Sequence, residues 1–109
     1  MSTTAIWLSY DLGINGDYDG LYKWLAEREA KECGDSFAFL PRYEYHGDVL
    51  AALRTDLSKA VELGKRARVY VIATKPNGHP KGSFLFGGRR LAPWHGYVPA
   101  TGKDADDEG

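Results

Sequence analysis

The sequence lacks the features that mark a disulfide-stabilised, metal-stabilised or membrane-embedded protein. Cys33 is the one cysteine among 109 residues, which excludes a disulfide framework and a cysteine-rich metal site. No apolar run approaches the roughly 18 residues that a membrane-spanning helix needs. The start of the chain has no charged region and cleavage site of a signal peptide. We therefore expect a soluble, cytoplasmic protein that does not associate with membranes.

Acidic residues are missing from residues 64–102, although the net charge of the whole chain is only −1. Residues 1–62 carry six Lys/Arg against eleven Asp/Glu, so the near-neutral total hides two blocks of opposite sign. The basic side chains of the acid-free block alternate with aromatic ones, a combination that can neutralise phosphates and stack bases. The candidate nucleic-acid contacts are Arg68, Lys75, Lys81, Arg89 and Arg90. In the alternative interpretation, these cations complement a helix dipole and form a solvated surface.

Composition indicates one folded domain followed by a short tail. Hydrophobic residues make up 43% of the chain and 14 residues are aromatic, which is enough to build a core. We place a single domain over residues 1–102. Residues 103–109 hold four acids and one lysine, and we expect them to form a disordered acidic tail.

The spacing of apolar residues and turn residues predicts the elements. In chain order they are a strand at 5–12, a helix at 17–32, an extended segment at 36–45, a helix at 48–63, a strand at 68–74 and a hairpin partner at 82–87. Pro41 lacks an amide donor, so we expect an edge position, a bulge or two short strands there. Cys33-Gly34 and Gly64 are the expected ends of the two helices.

This order predicts an α+β protein with a ferredoxin-like βαβ(β)αββ sandwich. Two helices of about 15 residues cover only one face of an antiparallel sheet of four to five strands. The other face then needs a cover, and Phe84 and Phe86 of the hairpin favour a homodimer. In the alternative, a monomer covers this face with its own C-terminal segment.

Asp11 is the candidate catalytic and metal-binding residue. It ends the first strand, and the ends of strands are where α/β proteins usually bind ligands and metals. A carboxylate at that place can bind Mg²⁺ or Mn²⁺, which keep several of their waters. In the structural alternative, Asp11 accepts hydrogen bonds from the amides of the loop at residues 13–16.

A short motif resembles a known group of proteins. Tyr10-Asp11-Leu12, a Gly/Asn loop and then Asp17-Tyr18-x-x-Leu21-Tyr22 are similar to the small proteins of CRISPR spacer acquisition, to virulence-associated protein D ribonucleases and to SinR-like proteins. The element order and the strand Arg68–Ile72 extend this similarity over residues 5–87.

The resemblance implies a symmetric ferredoxin-like dimer in which the aspartate matched by Asp11 meets its symmetry mate. In some members the pair holds a divalent metal that activates water for phosphodiester hydrolysis, and other members bind nucleic acid without catalysis. The main hypothesis is thus a nucleic-acid-acting protein of a defence or toxin-type system, a metal-dependent endoribonuclease. The alternative is a non-catalytic module that binds RNA, DNA or a partner protein. A small-molecule sensor is a third hypothesis.

Overall fold

The computed structural model describes residues 1–88 and 91–99. It contains five strands and two helices, whose acidic caps Asp17 and Asp48 each accept a hydrogen bond from the first helical turn. In chain order the elements are β1 (Ser2–Asp11), α1 (Tyr18–Glu27), β2 (Lys31–Glu32), β3 (Phe37–Tyr45), α2 (Val49–Ala60), β4 (Arg68–Thr74) and β5 (Pro80–Phe86).

The five strands form one open antiparallel sheet in the order β2-β3-β1-β4-β5. The α1 connection joins β1 to β2, and the α2 connection joins β3 to β4. The protein is therefore α+β, and its topology is compatible with a ferredoxin-like sandwich that carries β5 as an added hairpin strand. Among the described residues, no helix is long and apolar enough to cross a membrane.

Pro41 lies at an irregularity of β3. Between the pairs Thr4↔Tyr43 and Ile6↔Leu40, β3 has one residue more than β1. This extra residue is a β-bulge. Because β2 pairs only with Ala38 and Phe39, Pro41 has a paired strand on the β1 side alone, where a missing amide donor is tolerated. Of the alternatives that the sequence left open at Pro41, the structure contains both the bulge and the edge position.

Alternate residues of the strands form one core with the buried sides of both helices. From the central strands, Ile6, Leu8 and Val71 are fully buried, and α2 contributes Leu53 and Leu57. Tyr43 is the largest of the fully buried side chains, and its hydroxyl donates a 2.6 Å hydrogen bond to Asp56 on α2. This bond connects the bulged strand to the helix above it.

Both helices end earlier than the sequence predicts. The first was expected to continue to Glu32, but it ends at Glu27, and Glu29 takes the left-handed conformation that was assigned to Gly34. Lys31 and Glu32 pair with β3 instead, because no apolar residue after Leu25 continues the buried face of α1. The second helix ends at Ala60 rather than near Gly64, since Val61 is already extended.

The sheet face opposite the core carries aromatic and apolar side chains in rows. Strand register places Phe39, Trp7 and Ile72 in one row, and Phe37, Ser9, Tyr70 and Phe84 in the next. We call the six apolar members, Trp7, Phe37, Phe39, Tyr70, Ile72 and Phe84, the open face. Trp7 stacks on Phe39 at 4.8 Å between ring centroids, and Phe84 remains 44% exposed.

The described part of the C-terminal segment does not cover the open face. Its large apolar side chains, Leu91, Trp94, Tyr97 and Val98, are themselves 61–83% exposed. The structure thus differs from the alternative in which a monomer folds this segment back over its own sheet.

A hydrogen bond from the helical layer reaches β5. The Nε atom of Arg54 on α2 donates a 3.3 Å hydrogen bond to the carbonyl oxygen of Leu85. One backbone acceptor of this strand is therefore already occupied.

Candidate functional site

Asp11 lies at the end of β1, directly opposite Arg68 at the start of β4. Its Oδ2 atom is 2.8 Å from the Arg68 guanidinium, and its Oδ1 atom accepts a 3.0 Å hydrogen bond from the Gly13 amide. The side chain of Asp11 remains 55% exposed. The turn-capping interpretation is therefore confirmed for one oxygen, while the other oxygen forms an ion pair that the sequence analysis did not anticipate.

The Asp11–Arg68 pair opens onto a groove of 1030 Å³. Its walls are residues 11–17, residues 62–68 and the pair Gly87 and Gly88. We call it the β1 groove. Its volume is at the upper end of the range for ligand sites. Its walls are loops that adjoin the end of β1 and the start of β4.

Asp17 joins the two main walls of the β1 groove. Its Oδ1 atom accepts from the Gly20 amide at 2.9 Å, and its Oδ2 atom accepts from the Glu62 amide, also at 2.9 Å. These two backbone hydrogen bonds hold the pKa of the Asp17 carboxyl below its usual value. The charged form thus fixes the loop before α1 to the end of α2.

We expect the contribution of Asp17 to stability to disappear in acid. Because its folded pKa is depressed, this contribution is present above the unfolded pKa, near 3.8, and is lost as the pH falls through the lower folded value. Urea unfolding of wild type and Asp17→Asn between pH 2 and 7 measures it. The difference in the free energy of unfolding between the two proteins should be constant above pH 5 and should decrease below pH 4. A difference that is independent of pH would contradict this role.

The basic candidates form two groups at opposite ends of the β4–β5 hairpin. Arg68 lies in the β1 groove together with Lys65 and Arg66, which are exposed. Lys75 and Lys81 flank the hairpin turn. At about 3.3 Å per residue, β4 separates the two groups by roughly 20 Å. The structure therefore does not bring the five candidates together at one place.

The remaining basic candidates, Arg89 and Arg90, lie outside the described residues, as does the acidic tail at residues 103–109. The residue that precedes them in the described chain, Gly88, lines the β1 groove.

In one copy of the chain, Asp11 pairs with the Arg68 guanidinium and does not belong to a cluster of metal ligands among the described residues. Among residues 1–88 and 91–99, no group of three or more His, Cys, Asp or Glu side chains is close enough to hold a metal. The Arg68 guanidinium also occupies the position that a cation would take on Oδ2. Mg²⁺ binding would need ligands from elsewhere and a displaced Arg68.

Comparisons with known proteins give no relative. No family model matches the sequence, and it has no significant match among curated proteins or solved structures.

Sequence reasoning missed Lys65 and Arg66 as members of the site, although both belong to the acid-free block. The sequence contained a signal for this placement, because Lys65 and Arg66 precede β4 and Asp11 ends β1. In an antiparallel pair of strands, the start of one strand and the end of the other lie at the same end of the sheet.

Proposed function

We propose that this protein acts on nucleic acid, and that the β1 groove receives the phosphodiester backbone. The observation that carries the proposal is the pair of exposed cations Lys65 and Arg66 on the groove wall, beside Arg68, which is paired with Asp11. The same groove is also lined by the acids Asp11, Asp17 and Glu62, so the cations that are free of an ion pair with Asp11 are the proposed phosphate contacts. Guanidinium and ammonium groups bind phosphate oxygens through charge-assisted hydrogen bonds. The nucleic acid is RNA or DNA.

The proposed protein is a ferredoxin-like homodimer that associates through the open face. Support comes from the six apolar side chains of this face and from the lack of cover by residues 91–99. Asp11 lies one row beyond Ser9 on the same side of the sheet, so a second copy on this face approaches it. In a twofold dimer, each partner supplies one carboxylate.

Metal-dependent cleavage is the catalytic form of this proposal. Asp11 from both copies would hold Mg²⁺ or Mn²⁺, and such an ion supplies a water nucleophile and charge neutralisation. The ion pair with Arg68 favours the second form, a binding module without catalysis, because it neutralises Asp11 within one chain. A defence system or a mobile element is the setting that the resemblance suggests for either form, with a partner protein as a further ligand.

Binding is tested by fluorescence anisotropy with labelled single-stranded RNA and DNA. Two phosphate contacts predict about a sevenfold loss of affinity between 50 and 200 mM salt. The variant Lys65→Ala/Arg66→Ala should bind more weakly, and its salt slope should be smaller by about 1.4. Lys23→Ala/Arg42→Ala, which removes two exposed cations outside the groove, is the matched control and should resemble wild type. Binding that does not depend on salt would contradict the proposal.

Catalysis is tested by incubating labelled RNA with Mg²⁺, Mn²⁺ or EDTA. Asp11→Asn removes the charge but keeps an oxygen that accepts from the Gly13 amide, so the turn should remain intact. We expect loss of cleavage in this variant and wild-type cleavage in Asp19→Asn, which alters an exposed acid of α1. Cleavage by Asp11→Asn would remove the catalytic role. If wild type binds RNA in a salt-dependent manner but does not cleave it, the second form of the proposal, a binding module without catalysis, is supported.

Dimerisation is tested by sedimentation equilibrium, where we expect twice the 12.1 kDa mass of the chain. Trp7→Lys places a charge in the middle of the open face and should give a monomer with an unchanged fold. Ile14→Lys is the control, since Ile14 is 98% exposed in a loop. A wild-type monomer at micromolar concentration would contradict association through the open face.

A further inference from the structure

A depression lies in the middle of the open face, at Ser9. Strand register places Ser9 of β1 between Phe37 of β3 and Tyr70 of β4, and Trp7 precedes it on the same side of the sheet. Ser9 is exposed although β1 is the middle strand of the five. The small side chain thus leaves a space with aromatic walls, which we call the Ser9 notch.

The width of the Ser9 notch fits one aromatic ring. Two strand spacings separate Phe37 from Tyr70, a distance of roughly 10 Å. Packed rings lie about 4.5–7 Å apart between centroids, so a third ring can stack between these two. The Ser9 hydroxyl at the base can accept a hydrogen bond from an indole N–H. The notch is therefore suited to an aromatic side chain with a polar edge.

The same chain carries exposed rings that match the notch. Trp94 is 74% exposed and Tyr97 is 83% exposed, in the segment that follows the sheet. The His95 amide donates to the Ala92 carbonyl oxygen at 3.0 Å, and the Tyr97 amide donates to the Trp94 carbonyl oxygen at 3.1 Å. These two hydrogen bonds give residues 92–97 a defined shape in which both rings stay exposed. We call this segment the aromatic turn.

The chain leaves the sheet towards the aromatic turn at the margin of the open face. Gly88 lies against Phe84, since a Cβ at Gly88 would be 3.6 Å from two atoms of the Phe84 ring. The described residues 91–99 nevertheless leave the open face of their own chain uncovered. In a twofold dimer each copy offers both a turn and a notch, so the same contact forms twice.

The area available is sufficient for a stable dimer. A buried aromatic side chain removes about 150–250 Å² of surface from water. Burial of Trp94 and Tyr97 from both copies, together with the matching area of the two faces, amounts to about 1,200 Å². Specific interfaces begin at about this size. Because turn and notch occur in one chain, a second copy is the occupant that needs no other molecule.

We propose that the Trp94 ring of one copy inserts into the Ser9 notch of a second copy, between Phe37 and Tyr70. This inference rests on the proposed dimer through the open face, and it names the contact that holds the dimer together. The indole N–H of Trp94 donates to the Ser9 hydroxyl. The rings of Phe37 and Tyr70 stack on the two faces of the indole.

Substitutions on both sides of the contact test it by sedimentation equilibrium. Trp94→Ala removes the ring, and Ser9→Leu fills the notch, so each should raise the dissociation constant of the dimer roughly tenfold or more. General apolar association would instead be strengthened by the added leucine. The matched controls are Ile14→Ala, which truncates a 98% exposed side chain, and Ser2→Leu at the exposed start of β1. Both should change the dissociation constant less than twofold.

A mixed disulfide identifies the copy that supplies the ring. One protein carries Ser9→Cys and the other His95→Cys, which keeps Trp94 intact, and both carry Cys33→Ser because Cys33 is the one native cysteine. After mixing and oxidation we expect a covalent heterodimer of the two chains. Ile14→Cys in place of Ser9→Cys is the control and should give little of this product.

The outcomes separate this contact from the dimer on which it rests. If Trp7→Lys dissociates the dimer but Trp94→Ala does not, association through the open face stands and the Trp94 contact is overturned. A tighter dimer of Ser9→Leu overturns it as well. If Ser9→Leu does not fold, Trp94→Ala decides, since Trp94 lies outside the helices and strands.

Two further results would also contradict the proposal. A disulfide within single chains of Ser9→Cys/His95→Cys, without the mixed product, would show that the aromatic turn covers its own sheet. A wild-type monomer would contradict both this contact and the proposed dimer, whereas nucleic-acid binding in the β1 groove is measured separately by its salt dependence.

Discussion

Replacing Gly87 with alanine lowers the free energy of unfolding by about 2–4 kcal/mol. Gly87 follows β5 with φ +69°, a left-handed conformation that costs an L-residue about 1–2 kcal/mol. An added Cβ would overlap the carbonyl oxygen of Ala67 and would lie 2.9 Å from Cγ of Arg68. The backbone at the start of β4 has to shift, which adds an overpacking penalty.

Urea unfolding measures this effect against Gly64→Ala. Gly64 does not have a positive φ, and a Cβ there meets nothing within 4 Å. Its replacement should therefore be neutral or slightly stabilising. Since the strain in Gly87→Ala acts on Arg68, we also expect weaker nucleic-acid binding. Equal stability of the two alanine variants would show that the hairpin relaxes freely at this position.

Replacing Tyr43 with phenylalanine costs about 1.5–3 kcal/mol near neutral pH, because it removes a hydrogen bond to a charged group. The Tyr43 hydroxyl donates at 2.6 Å to Asp56, which then loses its partner beneath α2. Packing is retained, since the ring stays in the core. Chemical denaturation of both proteins at pH 7 measures the loss.

The pH dependence of the same pair identifies the cause. Burial, and then the hydrogen bond to Asp56, raise the pKa of the Tyr43 phenol well above its usual value of 10.0. A raised folded pKa means that the stabilisation is complete below pH 10 and declines as the pH rises above it. The difference in the free energy of unfolding between wild type and Tyr43→Phe should therefore decrease above pH 10. Asp56→Asn, which changes the acceptor of the same hydrogen bond, is the second variant. A difference in stability between wild type and Tyr43→Phe that widens above pH 10 would contradict this assignment.

Local signals in the sequence predicted most elements of the fold. The alternation of Arg68–Thr74 predicted β4 with its observed bounds, and Asp48 was identified as the start of the second helix. The elements that the local signals did not predict were determined by pairing with segments that are distant in the sequence. Residues 26–32 are good helix formers, yet Lys31 and Glu32 form a strand because β3 offers them a ladder.

The candidate site was predictable only in part. Asp11 was identified from its place at a strand end, and its bond to the Gly13 amide was one of the two alternatives considered. Its ion pair with Arg68 spans 57 positions in sequence and depends on the β1–β4 register, which no local pattern specifies. The separation of Lys75 and Lys81 from Arg68 follows directly from the hairpin.

The hydrogen bond from Arg54 to the Leu85 carbonyl has a consequence for aggregation. An edge strand with open amides and carbonyls is a template on which another chain can extend a sheet. Here the acceptor of Leu85 is occupied by a side chain from α2, and the same strand begins with Pro80 and Lys81, residue types that hinder strand addition. These features hinder the addition of a further strand at the β5 edge.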